Sequence, residues 1–157
     1  MDPPSAGETR TFERTFTVEE VEQFAELSRD RQFRHTEPDD DGRLMVHGLL
    51  TATLPTKIGG DLEVLAHSME FRFLRPVYTG DTVTCTWTTA TVDEREDRYD
   101  LGIDVTCEND DGETVLVGSL EGLVWKDAVE DEASEANMAS EADEISDADE
   151  TRGDDDD

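Results

Sequence analysis

The sequence predicts an α+β domain: a strongly curved antiparallel β-sheet wrapped around a central α-helix. Three observations carry this. Apolar residues recur at helical spacing over residues 18–28 and crowd a run over 44–58. From residue 62 to 125 the period switches to two, punctuated by turn residues. The run over 44–58 has hardly any polar face, so a helix there needs cover on all sides.

Residues 1–9 read as a flexible arm and Thr11 to Thr15 as a short strand. Thr17-Val18-Glu19-Glu20 is a capping box, with Thr at the N-cap and Glu three residues later. The helix it opens puts Val21, Phe24, Ala25 and Ser28 on one face and ends near Ser28. Residues 29–44 form a charged loop with turn signals from Pro38 to Gly42. Leu44 to Ile58 is the central helix, closed by Gly59-Gly60. Pro55 inside it costs about 3 kcal/mol unless the helix kinks there.

The strands follow. Val64 to Leu74 places His67, Met69, Phe71 and Phe73 on one face. Thr82 to Val92, Tyr99 to Cys107 and Val115 to Trp125 complete the set, with a hairpin turn at Asn109-Asp110-Asp111-Gly112. Gly118 and Gly122 inside the last strand point to bends or close backbone approach. Residues 10–126 thus form one domain. Residues 127–157 are acidic, bury almost nothing and read as a disordered tail.

The 157 residues carry 42 acidic and 13 basic side chains, for a net charge of -29. The tail holds 15 of the acids, which leaves 27 against 12 basic residues in 1–126, so the body itself is strongly acidic. Nucleic acid is excluded as a partner, because phosphate binding needs clustered Lys and Arg. An acidic, lysine-poor body resembles proteins of salt-loving microbes; at molar salt a Debye length of about 3 Å screens its self-repulsion. No stretch reaches the roughly 18 apolar residues a membrane span needs, and Met1 to Thr9 lacks a signal-peptide apolar region, so the expected location is cytoplasmic. Cys85 and Cys107 have no metal-ligand spacing and read as buried, reduced thiols.

The chemistry lies in Asp30-Arg31-Gln32-Phe33-Arg34-His35 and Met45-Val46-His47-Gly48-Leu49-Leu50. An acid and a histidine five apart face each other on neither a helix nor a strand, so they meet only across a bend. A carboxylate and an imidazole, which titrates near neutral pH, can then move protons together. Blander readings stand beside this one. An Asp and a His in a loop are usually solvated, and His47 can simply cap or pack. His67 on an apolar strand face is a core or interface histidine. The arginines can pair with Glu37, Asp39, Asp40 and Asp41, and Trp87 and Trp125 read as core or interface residues.

Together these residues resemble the MaoC-like, or (R)-specific enoyl-CoA hydratase, branch of the hot-dog fold. The resemblance covers Phe16 to Trp125. It rests on a helix ending in Ser28-Arg29-Asp30, the spacing of Asp30 and His35, the opening Val46-His47-Gly48-Leu49-Leu50, and Phe73-Leu74-Arg75-Pro76-Val77-Tyr78-Thr79-Gly80-Asp81-Thr82-Val83. Gln32-Phe33 stands where the family has Asn-Pro, so packing must hold the bend. The segment between His35 and His47 is short for the family.

The resemblance implies an (R)-specific enoyl-CoA hydratase, or 3-hydroxyacyl-CoA dehydratase, adding water syn to trans-2-enoyl thioesters. In that reading Asp30 and His35 are the acid/base pair and the Gly48 N–H is the oxyanion donor. His47 lies beside it, and Ser68 matches a position that contacts the bound thioester. Arg31, Arg34 and Arg43, with Arg29 and Lys57, bracket the site and steer the phosphates of an acyl-CoA or acyl-carrier-protein thioester. No metal and no redox cofactor are implied. A homodimer is expected, with sheets joined edge to edge and active sites at the interface. The alternatives are an acyl-CoA thioesterase on the same fold and a non-catalytic acyl-thioester-binding accessory protein.

Overall fold

A computed structural model describes residues 1–131. The elements run β1 (Thr9–Thr15), α1 (Val18–Ser28), α2 (Phe33–Thr36), α3 (Gly48–Thr51), α4 (Thr53–Asp61), β2 (Leu65–Phe73), β3 (Thr82–Glu94), β4 (Arg98–Glu108) and β5 (Thr114–Trp125). All five strands join one antiparallel sheet in the order β1-β3-β4-β5-β2. Helix α4 touches both edge strands, β1 and β2, as well as β3. In a flat sheet those edges would stand about 19 Å apart, while a helix with its side chains is only about 10–12 Å across. The sheet therefore curls around the helix, as its apolar circumference required.

Trp87, Phe16, Leu44, Leu54, Ile103 and Leu116 fill the space between, all at 2% exposure or less. Burial alternates residue by residue through much of β3 and β4, the mark of a sheet with one wet face. The Trp87 ring lies 3.3 Å from where a Cβ on Gly59 would stand. Glycine admits the indole there, and the helix runs through Gly59-Gly60 to Asp61 instead of ending at them.

The central helix departs from expectation at its start and middle. Leu44 to Val46 is extended: the Val46 N–H donates to the Val77 carbonyl (2.7 Å) and the Thr79 N–H to the Leu44 carbonyl (2.9 Å). Helix begins only at Gly48, and Ala52 separates α3 from α4. The break resolves the Pro55 problem. Pro55 falls in the first turn of α4, where no intrahelical partner exists for the N–H it lacks.

Both domain ends are longer than expected. The arm over 1–9 is tied down: the Gly7 N–H donates to the Thr89 carbonyl (2.7 Å), the Thr89 N–H donates to the Glu8 carbonyl (2.9 Å), and Met1 packs on the core. At the other end residues 126–131 are helical and Val129 is buried, so the domain passes the expected boundary at 126. The acidic tail beyond 131 lies outside the described residues.

The turns are built as their residues dictate. Gly80 (φ +92°) and Gly112 (φ +74°) adopt left-handed backbone, and the Asn109 side-chain carbonyl accepts from the Asp111 and Glu113 N–H groups (3.0 Å each). In β5, a Cβ on Gly118 would meet the Phe71 ring at 2.6 Å and one on Gly122 the Leu65 carbonyl at 2.7 Å, so both glycines mark close approach. Cys85 and Cys107 face each other across β3 and β4, buried and free. Among the described residues no helix is long and apolar enough to cross a membrane.

Candidate active site

The bend between Asp30 and His35 is built from backbone hydrogen bonds. Helix α1 ends on Arg29 in left-handed backbone (φ 62°), which redirects the chain. The Asp30 N–H then donates to Ser28 Oγ (3.1 Å), and Asp30 Oδ1 accepts from the Gln32 N–H (3.4 Å). One helical turn follows, closed by His35 N–H to the Gln32 carbonyl (2.8 Å) and Glu37 N–H to the Phe33 carbonyl (2.7 Å). The Met45 N–H donates to the Arg34 carbonyl (2.9 Å) and pins this turn to the strand-like segment before α3. Phe33 takes no part in packing the bend, being 71% exposed; the buried His35 ring, stacked on His47, is what packs there.

His35 Nδ1 lies 2.7 Å from the Met45 carbonyl oxygen. A carbonyl only accepts, so Nδ1 carries the proton, and a neutral His35 presents a bare Nε2. That Nε2 is 3.9 Å from Asp30 Oδ2. The gap is too long for a direct hydrogen bond, but one water can sit about 2.8 Å from both atoms. The Asp30 side chain is 41% exposed and that of His35 8%, so the pair is approached from the carboxylate side. Partial burial pushes the Asp30 carboxyl up. Hydrogen bonds from the Gln32 backbone and side chain, with the nearby His35 and His47, outweigh it and hold the group below the usual aspartate value.

His47 supports the pair. Its Nε2–H donates to the Asp30 backbone carbonyl (2.9 Å), its ring stacks on His35 at 3.7 Å and 17°, and the Phe24 ring meets it edge-on at 4.8 Å. It is 3% exposed, and its Nδ1 is buried without a partner. It fixes the backbone of the acid and the plane of the base. Asp30, His35 and His47 bring ligand atoms within 4.8 Å of one another. They do not suit a metal ion as arranged. The lone pairs of stacked imidazoles lie in near-parallel planes, so one ion between them would sit off both axes.

Gly48 opens α3, where its N–H has no partner within the helix. The Phe73 ring lies 2.9 Å from where its Cβ would be. Beside it is a cleft of about 220 Å³ lined by Val46, Gly48, Thr51, Phe73, Val77 and Val115 among others. Asp30 and His35 are not among its walls; Met45, whose carbonyl holds His35 Nδ1, is. Exposed Leu27 and Leu49 stand on the elements that flank the pair.

The other expected contacts are dispersed. Ser68 is exposed on edge strand β2, five residues before Phe73 and hence about 16 Å along the strand from it. Arg31 pairs with Glu26 (2.8 Å), Arg43 with Asp39 (3.0 Å), and Lys57 with Asp61. Arg34 lies over the Phe33 ring (5.7 Å). Among the described residues Arg29 and Arg34 make no ion pair. His67 is exposed on β2, so a core role for it is corrected. Sequence reasoning missed the Met45 carbonyl, which sets the His35 tautomer; a backbone acceptor leaves no side-chain signal. It also missed the Phe24 contact with His47, although Phe24 sat on the inward face of α1.

No protein-family model and no curated protein matches the sequence. Solved structures do. An (R)-hydratase from A. caviae involved in PHA biosynthesis aligns at TM-score 0.68 and 24% identity, over 78% of this chain and 98% of its own. A MaoC-like dehydratase from Rhodospirillum rubrum aligns at 0.64 and 17%, over 78% and 93%. This chain has their hot-dog fold. A monoamine oxidase regulatory protein from Archaeoglobus shares it too, at TM-score 0.66 and 24% identity over 78% and 92%.

Proposed function

We propose that this protein is a hydratase of trans-2-enoyl thioesters, working in either direction between the enoyl and the (R)-3-hydroxyacyl form. The observation that carries the reading is the pairing of the Asp30 carboxylate with the bare Nε2 of His35 across 3.9 Å, with the His35 ring stacked on His47, the residue before Gly48. A water between them loses a proton to Nε2 as its oxygen bonds the β-carbon. Asp30 accepts the other water hydrogen as a hydrogen bond and stabilises the imidazolium. The thioester oxygen gains enolate charge and takes the Gly48 N–H, an interaction whose loss elsewhere costs about 3–4 kcal/mol of barrier. The imidazolium then gives its proton to the α-carbon on the same face. The net change is syn addition of one water.

The hot-dog neighbours named as hydratases and dehydratases support this chemistry. The substrate is a thioester of coenzyme A or acyl carrier protein. Two copies pair along edge strand β2, whose Leu65, Met69 and Phe73 are each about half exposed and whose backbone edge is unpaired. The second copy then completes the wall of a site left open in one chain.

One assay tests the reading. Incubation with trans-2-butenoyl-CoA should remove the conjugated absorbance without releasing thiol. Free thiol would mean a thioesterase, and binding with neither change would mean a non-catalytic carrier protein.

A further inference from the structure

Among the described residues three threonines are buried, Thr51, Thr79 and Thr89, and two of them hold a hydrogen bond through the hydroxyl. Thr79 Oγ1 accepts from the Leu44 N–H (3.0 Å), and Thr89 Oγ1 from the Trp87 indole N–H (3.4 Å). On the central helix, the Thr53 and Thr56 hydroxyls donate back to the Leu50 and Ala52 carbonyls (2.5 and 3.1 Å). Thr51 is 3% exposed and makes none of the side-chain hydrogen bonds seen among the described residues; its hydroxyl is not one of the fully sealed atoms left without a partner, so what exposure it keeps opens on the cleft. The reason is local. A helical threonine ordinarily bonds back to the carbonyl four residues earlier. For Thr51 that is His47, whose oxygen already accepts from the Leu50 N–H (3.0 Å) and the Thr51 N–H (3.1 Å). The Gly48 carbonyl, three residues earlier, accepts from Ala52 (2.9 Å).

Thr51 belongs to a wall of the cleft beside Gly48. Gly48 and Thr51 are three apart on α3 and share a face, and a helical Cβ tilts toward the N-terminus, which carries the Thr51 side chain back over the Gly48 turn. Around them the cleft is mostly apolar: Val46, Phe73, Leu74, Val77 and Val115. A lone donor in such a setting gains most from an acceptor brought in by the ligand.

We propose that the Thr51 hydroxyl is a second hydrogen-bond donor to the thioester carbonyl oxygen, beside the Gly48 N–H. The assignment rests on the hydratase reading and adds a substrate-touching residue to it. As the α,β double bond is attacked, electron density moves onto that oxygen. Two donors on one helical turn then share the developing charge.

The test uses the full-length protein, with Thr51→Val (same shape, no hydroxyl) and Thr51→Ser (hydroxyl kept). With trans-2-butenoyl-CoA, Thr51→Val should lower kcat on the order of 10²-fold and raise KM to a smaller degree, because the hydroxyl also touches the ground-state oxygen. Thr51→Ser should recover most of the loss, and the Tm of Thr51→Val should not fall. Wild-type kcat in Thr51→Val, or equal losses in both variants accompanied by falling Tm, would overturn the assignment. Calorimetric binding of saturated butanoyl-CoA separates this outcome from failure of the hydratase reading. If the wild type binds that ligand without hydrating the enoyl form, the hydratase reading fails alone. Weaker binding by Thr51→Val then still supports the hydroxyl contact, and equal binding rejects it. A wild type that neither binds nor hydrates rejects both.

Discussion

Asp30 is held by three neighbours of different kinds: the Gln32 backbone N–H on its carboxylate, the His47 imidazole on its carbonyl, and the Ser28 hydroxyl on its N–H. The carboxylate therefore sits below its ordinary pKa, and the sign of the consequence is fixed. Its contribution to stability is full above the ordinary aspartate value and is lost as pH falls through the lowered one. The Tm gap between wild type and Asp30→Asn should be flat from about pH 5 to 8 and narrow only in stronger acid. A gap that widens on acidification contradicts the geometry. At Gly48, an added methyl would meet the Phe73 ring at 2.9 Å and crowd the amide. Gly48→Ala should therefore lower kcat by roughly ten- to a hundredfold in a hydration assay, while the half-exposed ring swings aside and limits the loss of Tm. The meeting of Asp30 and His35 was legible because a five-residue spacing fits no regular element. Ser68 was placed by resemblance alone, with no residue pattern in this chain to fix its distance from the pair.

The elements around the site carry two positions that their backbone would fill differently. Phe33 is the first residue of the α2 turn, where proline is favoured, and Gln32 before it (φ -55°, ψ 144°) has the extended backbone a following proline needs. Phe33→Pro should stabilise the domain by about 0.4–1 kcal/mol in denaturant unfolding. A loss instead would show that the Phe33 ring or N–H has an unseen role. Arg29 holds left-handed backbone ordinarily given to Gly or Asn. Arg29→Gly should stabilise by about 1 kcal/mol, read from the same transition. The start of the central helix was not legible locally. Leu44 to Val46 looks helical in any short window, yet pairs with Val77 and Thr79 more than thirty residues away. The break at Ala52 had a signal, Pro55, which sequence alone placed as an unresolved cost.

Over the whole molecule, a net charge of -29 dominates. Arg31–Glu26, Arg75–Glu113 and most other ion pairs are exposed and contribute about 0–1 kcal/mol each, so they do not offset the repulsion among unpaired acids. The Tm should rise steeply from dilute buffer to molar salt, where screening acts within about 3 Å. A flat profile would reject self-repulsion as the controlling force. The curled sheet was legible from an all-apolar helix followed by alternating strands, because one helix can be covered on all sides only by a sheet that wraps it. The proton-transfer pair at its mouth is tested most directly by following trans-2-butenoyl-CoA absorbance in molar salt with wild type and Asp30→Asn side by side. Rapid loss of the enoyl signal without thiol release in the wild type, abolished in the variant while butanoyl-CoA still binds, is the expected result. Equal rates in the two proteins would contradict the role assigned to Asp30 and His35.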